Sequence, residues 1–394
     1  MNPIYMDNHA STPIDPEVLE VLVEVAQAYP GNPASTDNLH GADAHGRLER
    51  ARTELAQALD AKPREVVFTS GSTESNNLAL QGAARALAGS GMHIVTSRIE
   101  HSSVIEVCRH LEANGWRVTY VEPDSDGRVL PESIERAMAA DTVLVSVMAA
   151  NNEIGTVNDI QSIARVAHAR GAVFHCDATQ AIGMCDIEFE RQEIDLMSLS
   201  GHKVYAPRGT GALVVRTSGR RVRLQPVMFG GGHERGLRPG TVNVAGAAAL
   251  AVAVAKAMRM RAGEPDRIAG LRDQMWELVA AGIPRVVQNG ATDSRLPGNL
   301  SVYIPGVESK ALVAAVRRTV SISAGSACST EHVEPSHVLL AMGQSATRAF
   351  ETIRIGVGRF NTEADVLVAS EEIVKRSHEL RRLSEVADAH TSAG

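Results

Sequence analysis

Nothing in this sequence supplies a covalent or metal framework. Its four cysteines, Cys108, Cys176, Cys185 and Cys328, form no C-x-x-C pair and follow no regular spacing, which argues against a disulfide scaffold or a zinc knuckle. An excess of basic charge is missing too: the formal net charge is -7, so no broad electrostatic footprint for nucleic acid or an anionic membrane is expected. No apolar run is long enough to span a bilayer, and Met1 to Asp7 has no basic stretch followed by an apolar one. Neither a membrane span nor a secretory signal is expected, and the cytoplasm is the expected location. Lysine is scarce: of 39 basic residues only Lys62, Lys203, Lys256, Lys310 and Lys375 are lysines. A guanidinium cannot form a Schiff base whereas a desolvated lysine amine can, so a lysine kept inside a polar motif, as Lys203 is, marks amine chemistry.

What is present describes a large globular chain. With 394 residues, 44% of them hydrophobic and 22% charged, it can bury a sizeable core in two or three domain-sized units. Between residues 60 and 216 short apolar, β-branched segments alternate with helical patterns, the signature of a mostly parallel sheet with helices on both faces. The expected strands begin at Val66, His93, Val118, Thr142, Ala172, Leu196 and Gly211. Expected helices span Thr73 to Leu87, Ser103 to Asn114 and Ile160 to Arg170, and Asp15-Pro16 opens an earlier one as cap and first-turn proline. The alanine-rich Ala245 to Met258 reads as a linking helix. Beyond it, helices mix with short strands such as Asn299 to Tyr303. The expected division is therefore a large domain over 16–258 and a smaller α+β domain from 1–15 and 259–394.

In open parallel sheets ligands bind beyond the carboxyl ends of the strands, and five such ends here are polar and small: Thr69-Ser70-Gly71-Ser72-Thr73-Glu74, Glu100-His101-Ser102, Asn151-Asn152-Glu153, Asp177-Ala178-Thr179-Gln180 and Ser200-Gly201-His202-Lys203. The run Ser70 to Thr73 opens a helix whose free N–H groups, hydroxyls and dipole can hold a phosphate, with His202 able to donate to the same group. Asp177 ends an apolar strand, where an unpaired carboxylate would be costly. A protonated pyridine nitrogen is a fitting partner, since an Asp there keeps pyridoxal phosphate an electron sink. Gln180 can reach a ring oxygen, and His101 can stack on the ring or shuttle protons. Cys108 and Cys176 read as small buried hydrophobes. Cys328 lies in the small-residue segment Ser323 to Glu334, which reads as an exposed, mobile loop.

These motifs, joined by Arg238-Pro239-Gly240-Thr241 and Ser323-Ala324-Gly325-Ser326-Ala327-Cys328, run in order over nearly the whole chain and resemble the NifS/IscS-like cysteine desulfurases of the class V aminotransferase family. The resemblance implies an α/β pyridoxal-phosphate transferase fold of type I and a homodimer. It implies pyridoxal 5'-phosphate on Lys203, and sulfur taken from L-cysteine onto Cys328 and passed to an acceptor or scaffold protein. By the same resemblance Ser72, Thr73, Ser200 and His202 bind the phosphate, joined by Thr241 of the partner subunit. Arg354, with Asn32 and Asn152, grips the substrate carboxylate, a task a bidentate guanidinium suits. Two positions depart from the family: Arg208 in Ala206-Pro207-Arg208-Gly209 and Pro239 before Gly240-Thr241. A selenocysteine lyase or an aminotransferase would use the same Lys203 and Asp177, but transamination needs no thiol. A nicotinamide-dependent dehydrogenase is disfavoured by the lack of a G-x-G-x-x-G after the first strand, and a non-enzymatic scaffold would not need the Lys, Asp and His set. Iron-sulfur assembly, transfer RNA thiolation and DNA phosphorothioation all remain open as destinations of the sulfur.

Overall fold

The computed structural model describes residues 3–325 and 334–391. Cys328, and with it the central part of the expected loop, lies outside the described residues. In chain order the first elements are β1 (Ile4–Tyr5), α1 (Pro16–Ala28), α2 (Leu39–Ala58), β2 (Val66–Thr69), α3 (Ser72–Leu87), β3 (His93–Ser97), α4 (Ser102–Ala113), β4 (Arg117–Val121) and α5 (Pro131–Ala137). They are followed by β5 (Thr142–Ser146), α6 (Ile160–Ala169), β6 (Val173–Asp177), β7 (Leu196–Ser200), β8 (Gly211–Val215) and α7 (Val244–Met260). The remainder comprises α8 (Glu264–Gly282), β9 (Val287–Gln288), β10 (Asn299–Tyr303), α9 (Ser309–Val316), β11 (Val320–Ser321) and β12 (Ser323–Ala324). It ends with α10 (His337–Ala341), α11 (Ala346–Phe350), β13 (Thr352–Gly356) and α12 (Glu363–Thr391).

Seven strands form the main sheet in the order β2-β8-β7-β6-β5-β3-β4. Strands β5, β7 and β8 are buried along their whole length, so they read as continuous apolar runs, as strands covered on both faces must. Helices α3 and α4 cover one face through Leu78, Ala83, Val104, Val107 and Cys108. Helices α1, α2, α5, α6 and α7 cover the other, where the alanines of α7 let helices approach closely over Val18, Leu48 and Leu55. Asp15 caps α1 by accepting from the Glu17 N–H at 3.1 Å, with Pro16 in the first turn.

The sheet is parallel except for β8, which runs antiparallel between β2 and β7. The chain reverses at Pro207 to Gly209, where Gly209 has φ +78°, and returns beside the strand it has just left. A second core of Leu271, Met275, Leu300, Val302, Ile353, Ile355 and Ile373 lies under a four-stranded antiparallel sheet of order β12-β13-β10-β9. Met6 belongs to this second core, and β1 pairs in parallel with β11. In contrast, Val338, Leu339, Met342 and Ala349 pack into the core of the main sheet.

Candidate active site

The C-terminal ends of β2, β3, β5, β6 and β7 share one edge of the main sheet, and the N-terminal segment crosses it. At the β2 end the chain enters α3 through Gly71, whose φ of +152° favours glycine. Gly71 is the N-cap of α3 and offers no side-chain cap, so no cap side chain occupies the first-turn N–H groups at Ser72 and Thr73. A Cβ on Gly71 would stand 3.4 Å from the Ser200 Oγ, while one on Gly211 would come within 2.5 Å of the Gly71 Cα. The Ser200 hydroxyl therefore stands beside the start of α3. His202 Nδ1 lies 3.3 Å from Ser11 Oγ, and burial, with the charges of Lys203 and Arg208, lowers its pKa to about 4. An uncapped helix start beside the Ser200 hydroxyl is a combination that can accept an anion.

At the β6 end Asp177 is buried. Its Oδ2 accepts from Asn76 Nδ2 at 2.8 Å and its Oδ1 from the Thr179 N–H at 3.0 Å. Asn76 Nδ2 also donates to Ser103 Oγ at 2.9 Å, and Ser103 Oγ lies 2.8 Å from His101 Nδ1, which in addition accepts from the Ser103 N–H at 3.1 Å. His101 thus caps α4 through Nδ1, so a neutral ring carries its proton on Nε2; burial lowers its pKa. Lys203 Nζ donates to the carbonyls of His9 at 2.5 Å and Ala10 at 2.9 Å. Gln180 is engaged with His9 at both ends of its amide. Asn76 Oδ1 and Thr179 Oγ1 are buried without hydrogen-bond partners among the described residues, so polar capacity is left over around Asp177. An anion cradle, a buried carboxylate, a lysine amine and spare polar atoms fit a phosphorylated pyridine aldehyde.

Arg354, on β13, is 3% exposed. Its Nη1 donates to the Asn152 carbonyl at 3.0 Å, and its Nη2 reaches Asp7 Oδ1 at 3.0 Å and Ser323 Oγ at 3.4 Å; Nε is buried and has no partner among the described residues. Asn152 is therefore brought to Arg354. Asn32 is not: it is exposed, and its Oδ1 accepts from the Ala34 N–H at 3.0 Å. Thr241 is exposed on the segment before α7, and no hydrogen bond among the described residues ties it to the Lys203 cluster of its own chain. A cavity of about 700 Å³ opens from His101 and Asn152 towards Glu334, Ser336 and His337.

Two acids frame this region, Glu100 buried and Glu153 half-buried. Glu100 has no exposure; its Oε1 accepts from Ser97 Oγ at 2.6 Å and from the Met148 N–H at 3.0 Å, and burial raises its pKa to about 8. Burial also raises the pKa of Glu153, which accepts from Ser336 Oγ. Sequence reasoning missed Asp7, His9, Ser11 and Asn76. The first three form the polar run that follows β1, the same signal that marked the five other strand ends. Asn76 lies inside α3, where a mid-helix amide carries no such mark.

A model of the class-V aminotransferase family matches residues 4–368. Over 390 residues the chain is 43% identical to the cysteine desulfurase IscS of Pseudomonas aeruginosa, which covers 98% of this chain and 96% of that protein. Among solved structures it is similar to a NifS-like protein, with TM-score 0.88 and 33% identity over 95% of this chain and 98% of that one. It is also similar to SspA in complex with cysteine, with TM-score 0.79 and 35% identity over 91% and 100%. The chain belongs to the class-V aminotransferase family. Within that family it falls among the NifS/IscS-like cysteine desulfurases.

Proposed function

We propose that this protein takes sulfur from free L-cysteine, leaving L-alanine, with pyridoxal 5'-phosphate on Lys203 and Cys328 as the first sulfur acceptor. The observation that supports the reading is that Lys203 and the buried Arg354 both meet the segment after β1, at His9 and Asp7, while Asp177 is linked through Asn76 and Ser103 to His101. When bound, pyridoxal phosphate supplies an electron sink for the substrate Cα. Ser72, Thr73, Ser200 and His202 would hold its phosphate, and Asp177 would keep the ring nitrogen protonated. Arg354 grips the substrate carboxylate, with its fork already fixed by Asn152 and Asp7. The Lys203 amine, held on the His9 and Ala10 carbonyls, takes the Cα proton, and the His101 Nε2–H moves protons between thiol and product.

At Cys328 a sulfur–sulfur bond forms as the substrate Cβ–S bond breaks. The electron pair left on Cβ takes up a proton to become the methyl group of alanine, so one cysteine and one thiol give one alanine and one persulfide. The enzyme works as a homodimer in the cytoplasm, with Thr241 of the partner subunit completing the phosphate site. It passes sulfur to an acceptor protein for iron-sulfur assembly, transfer RNA thiolation or DNA phosphorothioation.

The test is to supply purified protein with pyridoxal phosphate, L-cysteine and a thiol reductant, and to measure alanine and sulfide together. Equal amounts of both, abolished in Lys203→Ala, are expected. Amino-group transfer to a 2-oxo acid without sulfide would overturn the reading.

A further inference from the structure

The N-terminal segment holds a histidine that the reaction above leaves without a task. His9 lies in the loop after β1, and its backbone and side chain meet residues far away in sequence. Gln180 Nε2 donates to the His9 carbonyl at 3.1 Å, and this contact fixes which end of the amide is which. Gln180 Oε1 must then be the atom 3.0 Å from His9 Nδ1, and an acceptor facing Nδ1 requires the proton to sit there. Burial and the nearby charges of Arg354 and Lys203 keep the ring neutral. The same His9 carbonyl accepts from Lys203 Nζ.

The segment has little freedom to move. The Asn8 N–H and Asn8 Nδ2 both donate to the Gly356 carbonyl, at 3.2 and 2.8 Å. The His9 ring fills the space beside Gly356, where a Cβ would come within 3.1 Å of His9 Cδ2. Gly356 ends β13, the strand that carries Arg354. One ring is thus packed on the strand of the carboxylate-binding arginine, bonded to the glutamine at the end of β6, and attached to the carbonyl that holds the lysine amine.

We propose that His9 is a positioning residue for the cofactor. Its Nδ1–H and its carbonyl clasp the Gln180 amide so that the second Nε2–H is presented to the hydroxyl oxygen of the pyridine ring. This rests on pyridoxal phosphate being bound at Lys203. Without the Nδ1–H the amide keeps only the His9 carbonyl as an anchor and turns more easily, and with Oε1 turned towards an ionised ring oxygen the contact becomes repulsive.

The test uses the enzyme loaded with pyridoxal phosphate and two readouts other than turnover: the pH titration of its visible absorption band, and the rate of cofactor release into a trapping excess of apoprotein. His9→Ala is expected to shift the titration midpoint in the same direction as Gln180→Ala and to speed release by about tenfold, the worth of one hydrogen bond to a charged group. The double variant should add nothing further, because both changes remove the same interaction. His9→Asn, whose amide N–H can stand where Nδ1–H stood, should restore midpoint and release. If His9 only packs against Gly356, His9→Ala will lower the melting temperature while leaving midpoint and release unchanged. That outcome, or shifts that add in the double variant, overturns the proposal. A wild-type protein that gains no Lys203-dependent visible band would instead overturn the cofactor reading, and this proposal with it.

Discussion

Glu100 offers a test of the site's electrostatics that needs no assay of turnover. Its carboxyl is fully buried beside Asp177, and its pKa rises from 4.5 to about 8 because burial penalises the ionised form. In the unfolded chain it ionises near 4.5, so between that pH and 8 the folded protein holds a proton that the unfolded chain has released. Stability from this group is fully present below pH 4.5, falls as pH rises through 8, and is level above that. At 1.36 kcal/mol per pKa unit the shift sets a ceiling of about 5 kcal/mol. Water entry and local adjustment on ionisation reduce this, and a net effect of about 1–3 kcal/mol is expected.

Glu100→Gln keeps an oxygen to accept from Ser97 Oγ and the Met148 N–H but has no proton to lose. Melting temperatures of both proteins, saturated with cofactor, would be measured from pH 5 to 9. The variant should gain on the wild type by about 2–5 °C across that range, at roughly 1–2 °C per kcal/mol for a chain of this size. Parallel curves, or a variant that loses ground as pH rises, would refute the assignment of a neutral Glu100.

Other expectations concern the chemistry directly. Asp177→Asn should retain cofactor while turnover falls by about 100-fold or more, since a neutral amide no longer favours a protonated ring nitrogen; near-normal turnover would rule the role out. Arg354→Lys should raise KM for cysteine by about 10- to 100-fold with less effect on kcat, because a point charge replaces a bidentate fork, and steady-state kinetics would show the split. Cys328→Ser should bind cysteine, seen as a spectral change, yet release no sulfide. In brief alkylation followed by peptide mapping, Cys328 should react ahead of Cys108, Cys176 and Cys185, whose thiol pKa values burial pushes up, that of Cys185 to about 12.

The alternation of β-branched runs with helical periods was legible because it is local, so β2, β3, β5, β6 and β7 stand within a residue or two of their expected bounds. The polar runs at their ends, and the rarity of lysine around Lys203, marked the crevice for the same reason: turn chemistry and residue choice are written where they act. The antiparallel course of β8 was not legible, since strand direction depends on which neighbour has room, and here the reversal at Gly209 sends the chain back between β2 and β7. Nor could spacing place Asp7 347 residues away against Arg354, or His9 171 residues away against Gln180. Those contacts exist because β1 pairs with β11 and carries the next few residues across the sheet edge. Asn32 stayed on its own surface turn for the converse reason: its side chain is satisfied within two residues, and no pairing draws it inward. The residue types at the site are fixed by composition and local pattern, but their meeting is decided by sheet order and long-range pairing, which no window of sequence contains.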